Sequence, residues 1–364
     1  MLSRNFQSIL VVNPYGIGDA LFTTPIIHTL KENFPQGKID VLIGSRTREI
    51  FEHNPDLCEI IVFDKGRFDK SNFVKKIDLL TTVFKKLKNR RYDLIIDLSN
   101  APEYGFFGKF LLKIPLRVGF DYKRRGRFLT RRIPLEGFEG KHIVEFYLDL
   151  LRELKIPIRD NHLHLYVSKE NEKWAKDFLI KNNIKDTDLV IGIVPGGGAS
   201  WGKNSYLKHW PIEYFERLSE FLIEKLKAKI LLFGSDTEAN LCKRINDFLK
   251  GEVVDTSGKL NIAQLTALFK RCNLIICNDG GPLHIAKTQE VNTISIFGPV
   301  NSKVYGPYPK TNKDIVLETE IACRPCYKNF RMPDCKTKDC LRTISPEMVF
   351  ERAKSLILKQ GDNW

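Results

Sequence analysis

The sequence has no long apolar run and no leader-like start. No stretch approaches the ~18 consecutive apolar residues that a membrane-spanning helix needs. The short apolar run near the N-terminus, SILVV, reads on as a β-strand and does not have the architecture of a signal peptide. These absences argue against membrane-spanning and secreted classes, and we expect a cytoplasmic globular protein.

Acidic residues are too few to balance the basic ones. The chain of 364 residues has 44 Asp and Glu against 58 Lys and Arg, a formal net charge of +14. Such an excess favours an anionic partner: nucleic acid, anionic lipid headgroups or a phosphorylated substrate. Because the basic residues are spread along the chain, a lysine-rich solvated surface is the alternative. The length predicts two domains, at ~100–200 residues each.

A third absence concerns the glycine turn NPYGIGDALFTTP, from Asn13 to Pro25. The turn follows an apolar strand and precedes a helix-like pattern, but the third glycine of the dinucleotide-binding fingerprint is missing. Asp19 stands where the helix should begin, and its carboxylate would repel a pyrophosphate. On the residues alone, Asp19 is either the N-cap of its helix or a functional carboxylate.

Short apolar runs alternate with amphipathic segments along the chain. This pattern predicts parallel sheets covered on both faces, that is, two doubly wound α/β domains in tandem. We place the domains at 1–167 and 168–344, with Leu154–Asn171 as a strand and linker, and a helix in 345–364 that packs back on the first domain. The predicted strands are Ser8–Val12, Ile39–Ile43, Ile60–Phe63, Asp93–Asp97, Arg117–Phe120, Leu189–Val194, Lys229–Phe233, Val253–Asp255, Leu274–Cys277 and Thr293–Phe297.

The better phosphate site lies in the second half, in LIICNDGGPLHIA. A buried strand is followed by Gly280, Gly281 and a helix whose first-turn N–H groups and dipole can bind a diphosphate. Asp279 is tolerable there only if its carboxylate turns away to cap a local N–H. His284 is either within reach of a phosphate oxygen or a packed histidine. Ligands of such sheets bind beyond the carboxyl ends of the strands, so the expected site is the cleft between the domains.

Two further turns of the second half carry candidate residues. In IVPGGGASWGKNSYLKHWP, Lys203 and Lys208 could offset charge on a departing diphosphate, and Trp210 is expected to pack. In LLFGSDTEANL, Ser235 or Asp236 is expected to cap a helix, and Glu238 could meet a ribose hydroxyl. Helix capping alone would explain the polar residues of LLFGSDTEANL, so this turn is weak evidence for a ribose contact.

Taken together, GDALFTTP, KHWP, the FGS turn and NDGGPLHIA with IFGP resemble the ADP-heptose:lipopolysaccharide heptosyltransferases, glycosyltransferase family 9. Their order and spacing match over nearly the whole chain. The resemblance implies a GT-B fold of two Rossmann-like domains around a cleft. It also implies inverting transfer of heptose from ADP-heptose to the lipopolysaccharide inner core, without an essential metal and without a cofactor.

The resemblance also implies roles for individual residues. Asp19 matches the proposed general base, and Lys208 the lysine that contacts the phosphates, although the long loop leaves Lys203 and Lys208 partly interchangeable. Gly280 replaces a frequent threonine, so one hydroxyl contact is absent. The implied nucleotide-sugar-binding residues are Asp279, Gly280, Gly281, His284, Lys203, Ser200, Glu238 and Leu260, the last of these near the adenine.

A basic stretch, RVGFDYKRRGRFLTRRIPL, packs seven Lys and Arg residues into 117–135. In the heptosyltransferase interpretation it meets an anionic lipid-linked acceptor or the inner leaflet of the membrane. A solvated loop is the alternative, and no recognisable nucleic-acid module accompanies it, so we expect no nucleic-acid partner. The candidate acceptor-binding residues are Gly18, Arg124, Arg125 and Arg127.

Four cysteines cluster near the end of the chain with the spacing C-x2-C-x8-C-x4-C. Four thiols with a leading C-x2-C can hold zinc tetrahedrally, and a cytoplasmic setting disfavours disulfides. The x8 spacing is short for a zinc ribbon, so a structural metal and a metal-free cluster both remain open. The residues are Cys323, Cys326, Cys335 and Cys340.

Other functions stay open on the sequence alone. One alternative is a transferase that uses another nucleotide sugar, or that acts on a protein or another glycan. A second is a catalytically silent nucleotide-binding protein at the membrane surface. A third is a sugar-nucleotide epimerase, for which no further acid/base carboxylates can be located.

Overall fold

Two α/β units follow each other along the chain. The computed structural model describes residues 5–332 and 334–361. Contacts divide the chain into Met1–Tyr166 and Val167–Trp364, one residue from the predicted boundary. Each unit has its own parallel sheet and hydrophobic core, and each is described by itself.

The first unit is built on a six-stranded parallel sheet in the order β3-β2-β1-β4-β5-β6. The central strand β1, SILVVN, is buried along its whole length, as expected for a strand covered on both faces. Its strands are β1 (Ser8–Asn13), β2 (Lys38–Ile43), β3 (Glu59–Val62), β4 (Leu94–Asp97), β5 (Leu116–Tyr122) and β6 (Arg131–Leu135). Its helices are α1 (Ile17–Asn33), α2 (Arg48–Phe51), α3 (Lys65–Lys70), α4 (Phe73–Lys88), α5 (Pro102–Phe106) and α6 (Ile143–Glu153).

The second unit repeats this topology, with the order β12-β11-β10-β7-β8-β9. Its strands are β7 (Val190–Val194), β8 (Lys229–Leu232), β9 (Val254–Asp255), β10 (Leu274–Asn278), β11 (Asn292–Phe297) and β12 (Asp314–Glu318). Its helices are α7 (Lys169–Lys181), α8 (Ile212–Leu226), α9 (Ala239–Phe248), α10 (Ile262–Phe269), α11 (Gly281–Thr288), α12 (Ser302–Tyr305), α13 (Asp339–Arg342) and α14 (Pro346–Gly361).

In both units the chain reverses its direction of winding beside the first strand. The carboxyl ends of β1 and β4 lie next to each other in the first sheet, and those of β7 and β10 in the second. This is the topological switch point, where open α/β sheets bind their ligands. The two glycine turns singled out in the sequence follow β1 and β10, and so lie at these points.

The C-terminal helix α14 contributes to the core of the second unit. Its Val349, Phe350, Ala353 and Leu356 are buried together with apolar residues of α8 and the sheet. The ring of Phe350 lies 5.7 Å from that of Phe221 on α8. The segment expected to pack on the first domain therefore buries its apolar face within the second unit. Among the described residues, no helix is both long and apolar enough to cross a bilayer.

The segment after α6 differs from its predicted structure. Residues 154–167, expected to contain a strand, form none and do not join the sheet. Side chains of α1 hold the segment instead: Asn33 Nδ2 donates to Pro157 O over 2.9 Å, and Thr24 Oγ1 accepts from His164 N over 2.9 Å. The apolar residues Leu163 and Leu165 of this segment are buried although it forms no strand.

Candidate functional site

In the second unit, the loops that follow β7 and β10 touch at the switch point. A Cβ atom on Gly280 would come within 1.9 Å of Gly197 O, so only glycine fits there. Gly198 has a φ of +79°, in the left-handed region that favours glycine. α11 begins directly after Gly280, so the N–H of Gly281 stands at the positive end of the helix dipole, whereas Pro282 has no N–H and Leu283 N donates to Gly280 O over 3.2 Å. The glycines thus place two backbones close together at the start of a helix.

Lys208 forms an ion pair with Asp279 at this point. The Lys208 Nζ lies 2.7 Å from Asp279 Oδ2, and both side chains are at least nine-tenths buried. Oδ2 accepts no aligned hydrogen bond, so the contact is mainly electrostatic. The N-cap of α11 is Gly280, with no side-chain bond, so the expected capping role of Asp279 is wrong. The lysine offsets the negative charge that would repel a phosphate.

The same geometry separates the two candidate lysines. Lys203 is exposed, whereas Lys208 is buried and its Nζ lies 4.4 Å from the centroid of the Trp201 ring. A buried ammonium group stabilises a developing negative charge more strongly than an ammonium group in water, because the dielectric constant around it is lower. Of the two, Lys208 is therefore the better placed for a diphosphate.

Asn278, which the sequence reasoning missed, joins the loops around this site. It is fully buried at the end of β10. Its Nδ2 donates to Pro195 O and Gly196 O over 2.7 and 2.6 Å, and its Oδ1 accepts from Trp210 N over 3.0 Å. The only signal in the sequence was a polar residue that closes an apolar strand before Asp279. Asn278 fixes both the glycine loop and the segment that carries Lys208.

Glu238 holds the glycine loop from the other side. Its Oε1 accepts from Gly197 N and Gly198 N, both over 2.9 Å, while Oε2 accepts from the backbone and hydroxyl of Ser235. Burial alone would raise the pKa of Glu238, but these hydrogen bonds outweigh it and lower the pKa. Ser235 and Glu238 form the expected capping box. All four acceptor positions of the carboxylate are used within the protein, which leaves none for the predicted ribose contact.

The other candidates of the second unit are placed as follows. His284 is buried on α11, and Leu260 is half-buried in the turn that follows β9. Trp210 packs in the core as predicted, and its Nε1 donates to Ile344 O over 2.8 Å. The side chain of Ser200 lies outside the part of the chain that the structure describes.

In the first unit, Asp19 lies in the first turn of α1. Gly16 is the N-cap, so the interpretation of Asp19 as the cap is wrong. Asn13 Nδ2 donates to Asp19 O over 3.0 Å and to Thr23 Oγ1 over 2.7 Å, which holds the turn against the helix. A helix N-terminus favours negative charge, and the half-buried Asp19 is suited to act as an anionic base. Gly18 precedes it in the same turn.

A second carboxylate, which the sequence reasoning also missed, closes β4 beside this turn. Asp97 Oδ1 accepts from Ser99 N and Ser99 Oγ over 2.9 and 2.5 Å. Burial raises the pKa of Asp97 to about 6, although the bonds from Ser99 act in the opposite direction. Tyr15 donates its hydroxyl to Ser99 O, and burial together with the charges of Asp19 and Asp97 raises the pKa of Tyr15. An aspartate at the end of a buried strand was the available signal.

The basic stretch 117–135 folds as most of β5, the turn that follows it and the edge strand β6. Arg124, Arg125 and Arg127 are all exposed, and Arg125 acts electrostatically on Tyr15, which ties this turn to the Asp19 end of the sheet. Gly126 N donates to Asp121 Oδ1 over 2.9 Å, which fixes the turn. The basic turn after β5 and the Asp19 turn after β1 therefore lie at the same carboxyl end of the first sheet.

The four clustered cysteines line one cavity of about 30 Å³ with Leu207 and Lys338. Burial raises the pKa of Cys340 to about 11, and the neighbouring thiols add to this rise. No three of the four sulfur atoms converge within 4.8 Å in the described part of the chain. A structural zinc ion at Cys323, Cys326, Cys335 and Cys340 stays a prediction.

A family model and curated relatives both match most of the chain. The model of glycosyltransferase family 9 (heptosyltransferase) matches residues 80–336, more than half of the chain. A lipooligosaccharide heptosyltransferase 2 of Campylobacter jejuni is 26% identical over 356 residues, which cover 96% of this chain and 98% of that protein.

Solved structures are similar over the same extent. A family 9 glycosyltransferase of Veillonella parvula superposes with a TM-score of 0.81 at 26% identity and covers 97% of this chain and 98% of its own. The E. coli ADP-heptose lipopolysaccharide heptosyltransferase II gives a TM-score of 0.76 at 22% identity, with 98% of this chain and 100% of that chain covered. The predicted fold and the resemblance are confirmed: the chain is a glycosyltransferase and belongs to glycosyltransferase family 9, the heptosyltransferases.

Proposed function

We propose that this enzyme transfers heptose from ADP-heptose to an inner-core lipopolysaccharide acceptor, with inversion at the anomeric carbon. The observation that carries the proposal is the buried Lys208–Asp279 pair beside the start of α11. A cation beside the N-terminus of a helix at a switch point suits a diphosphate better than an uncharged ligand. The choice of heptose as the sugar and of lipopolysaccharide as the acceptor rests on the names of the relatives given above.

The second unit binds the donor in this proposal. Lys208, the N–H of Gly281 and the positive end of the α11 dipole hold the diphosphate and stabilise it as it departs. His284 lies one turn further along the same helix, and Leu260 lies beside the adenine. Glu238 acts differently from its sequence-based assignment, because its carboxylate already binds the loop amides of Gly197 and Gly198. We therefore assign it to positioning the loop.

Asp19 serves as the general base of the transfer. The acceptor hydroxyl oxygen attacks the anomeric carbon, its proton moves to the Asp19 carboxylate, and the bond from that carbon to the diphosphate oxygen breaks. The electron pair leaves with ADP, where Lys208 balances the new charge. Attack on the face opposite the leaving group inverts the anomeric configuration. An Asp19→Asn variant keeps the shape but cannot take the proton, so turnover should fall at unchanged ADP affinity.

The acceptor is anionic and bound to the membrane in this proposal. Phe106, Phe110 and Leu111 are each more than two-fifths exposed, and Phe128 contacts the first two rings. We call the three phenylalanines, together with the neighbouring Leu111, the aromatic patch. Lys109 and Arg127 stack on its rings. Aromatic side chains flanked by basic ones suit the headgroup region of an anionic bilayer, which supports peripheral membrane association.

Calorimetric titration with ADP, GDP and UDP tests the donor assignment. We expect ADP to bind at least tenfold more tightly than UDP, with and without magnesium. A Lys208→Met variant should weaken the binding of ADP, and a Lys203→Met variant should not. Preference for UDP, or strict dependence on magnesium, would contradict the proposed donor.

A further inference from the structure

Two histidines and an aspartate of the first unit bring ligand atoms together outside the residues assigned to the reaction. His28 lies on α1, while Asp160 and His164 lie on the extended segment that follows α6. One nitrogen of each histidine and one carboxylate oxygen of Asp160 all lie within 4.8 Å of one another. All three side chains are half-buried.

The two nitrogen–oxygen separations are close to those around a tetrahedral metal ion. His164 Nε2 lies 3.4 Å from Asp160 Oδ2, and His28 Nε2 lies 3.9 Å from the same oxygen. Zinc binds nitrogen and oxygen at about 2.0–2.1 Å, so tetrahedral ligand atoms lie about 3.3–3.4 Å apart. One distance matches and the other is half an ångström longer, within reach of a small side-chain rotation.

Hydrogen bonding does not explain this convergence. His164 Nε2 is buried and has no hydrogen-bond partner among the described residues, although Asp160 Oδ2 is near. The Asp160 carboxylate directs its other oxygen to His162, whose backbone N and ring Nδ1 lie 2.8 and 2.6 Å from Oδ1. Oδ2 is thus left facing the two imidazoles. A cation between them would satisfy an atom that the protein leaves unsatisfied.

A second carboxylate orients His28 as a metal ligand would require. His28 Nδ1 lies 2.8 Å from Asp56 Oδ2, so the ring presents Nε2 to the cluster. Carboxylate–histidine pairs of this kind fix the ring and raise its basicity in metal sites. Asp56 and Asp160 bring two carboxylates to the cluster, whose negative charge a divalent cation would balance.

The backbone around the cluster is held in advance. Asn33 and Thr24 of α1 bind the backbone of Pro157 and of His164 itself, on either side of Asp160. Ligands supplied by a pinned segment and a buried helix lose little freedom when an ion binds.

We propose that His28 Nε2, His164 Nε2 and Asp160 Oδ2 bind a divalent transition-metal ion of the zinc type. Water completes the coordination, since three protein ligands leave a position open. The ion fastens the segment after α6 to α1 and takes no part in the transfer. This site is independent of the proposed function.

Zinc titration of the chelator-treated full-length protein tests the site. Calorimetry should show a zinc site that weakens at least tenfold in His28→Gln and, separately, in His164→Gln, whether or not the cysteine cavity binds a second ion. Asp56→Asn should weaken it by about 10–100-fold, as outer-shell changes do. His53→Gln, at an exposed histidine outside the cluster, should bind zinc like the wild type.

Two further measurements distinguish zinc binding at this site from zinc binding at the cysteine cavity. Zinc should raise the melting temperature of the wild type but not of the two histidine variants, whose melting temperatures in chelator should match that of the wild type. Cobalt substitution separates this site from the cysteine cavity, because thiolate ligands add a charge-transfer band that imidazole and carboxylate lack. Unchanged zinc binding in both histidine variants, or a cobalt spectrum of thiolate character alone, would overturn the proposal.

Discussion

At the scale of single residues, polar side chains at strand ends organise both switch points. Asn278, Asp279 and Asp97 are all buried, and each has an identified partner. Leaving a buried polar group without a partner costs about 1–3 kcal/mol of folding free energy. Each of these residues therefore stabilises one conformation of the loop that it contacts. The sequence could predict that polar residues at strand ends form the sites. It could not predict that Asp279 pairs with Lys208, because the two are 71 positions apart and meet only in the fold.

The Lys208–Asp279 pair makes a first prediction. Lys208→Met should lower kcat by about 100-fold to 1,000-fold, the usual effect of removing one group that stabilises developing negative charge. The change should also destabilise the fold by about 3–5 kcal/mol, because Asp279 is left buried without its counter-charge. Initial rates with ADP-heptose, measured well below the melting temperature, check the effect on kcat.

The matched control for that variant is Lys203→Met. Lys203 lies in the same loop but is exposed, so its loss should change kcat by less than about twofold. A comparable loss in both variants would show that the loop as a whole, and not the buried ammonium, carries the effect.

The raised pKa of Asp97 predicts a pH-dependent stability. The pKa is 3.8 ordinarily and about 6 in the fold, so the native state binds the proton more tightly than the unfolded chain. The resulting stabilisation is complete below about pH 4 and is lost as the pH rises through 6. Asp97→Asn keeps an oxygen for both Ser99 bonds, and so should gain about 3 kcal/mol relative to the wild type between pH 4 and 7.

Urea unfolding at several pH values measures this difference. Asp177→Asn, at an exposed position on α7, provides the control and should leave the pH dependence of the wild type unchanged. A constant difference between Asp97→Asn and wild type across this range would refute the assignment.

At the scale of elements, the strands found from the sequence are those with continuous apolar runs. The ten predicted strands are all present, with ends that differ by at most two residues. The two strands that the sequence did not predict, β6 and β12, lie at sheet edges. An edge strand pairs with a neighbour on one side only, so it needs no continuous apolar run. β6 reads RRIPL, whose charges and proline are tolerated only at an edge. The strand predicted after α6 is wrong: its apolar residues are buried, but hydrogen bonds with side chains of α1 hold its backbone and it joins no sheet.

The hydrogen bonds of Asn278 lead to a prediction about the loop that follows β7. Asn278→Ala removes the bonds to Pro195, Gly196 and Trp210, so the glycine loop and the segment after it should open more often while β7 and β10 stay intact. Hydrogen exchange by mass spectrometry should rise several-fold in peptides covering 195–210. Equal protection in the variant, or a rise spread evenly over the second unit, would contradict this role.

At the scale of the whole molecule, two units of the same topology carry different chemistry at corresponding points. The switch point of the first has a carboxylate in the helix turn and basic residues beside it, whereas that of the second has a buried lysine beside the N-terminus of a helix. The sequence predicted this division because a fingerprint lacking its third glycine argued against phosphate in the first unit. It missed Asn278 and Asp97, whose importance depends on burial and partners that no local pattern contains.

The excess of positive charge and the aromatic patch lead to a prediction for the whole protein. If the patch inserts into the headgroup region, binding to vesicles containing an anionic lipid should exceed binding to neutral vesicles and should weaken with salt. The double change Phe106→Ser and Phe110→Ser should reduce this binding about tenfold, since each ring loses part of the 1.5–3 kcal/mol that full burial provides. Ile180 on α7 of the other unit is 61% exposed, more than Phe106 or Phe110, and Ile180→Ser should leave binding unaltered. Vesicle co-sedimentation decides between insertion and a merely solvated basic surface, because a solvated surface would make the double variant and the control behave alike.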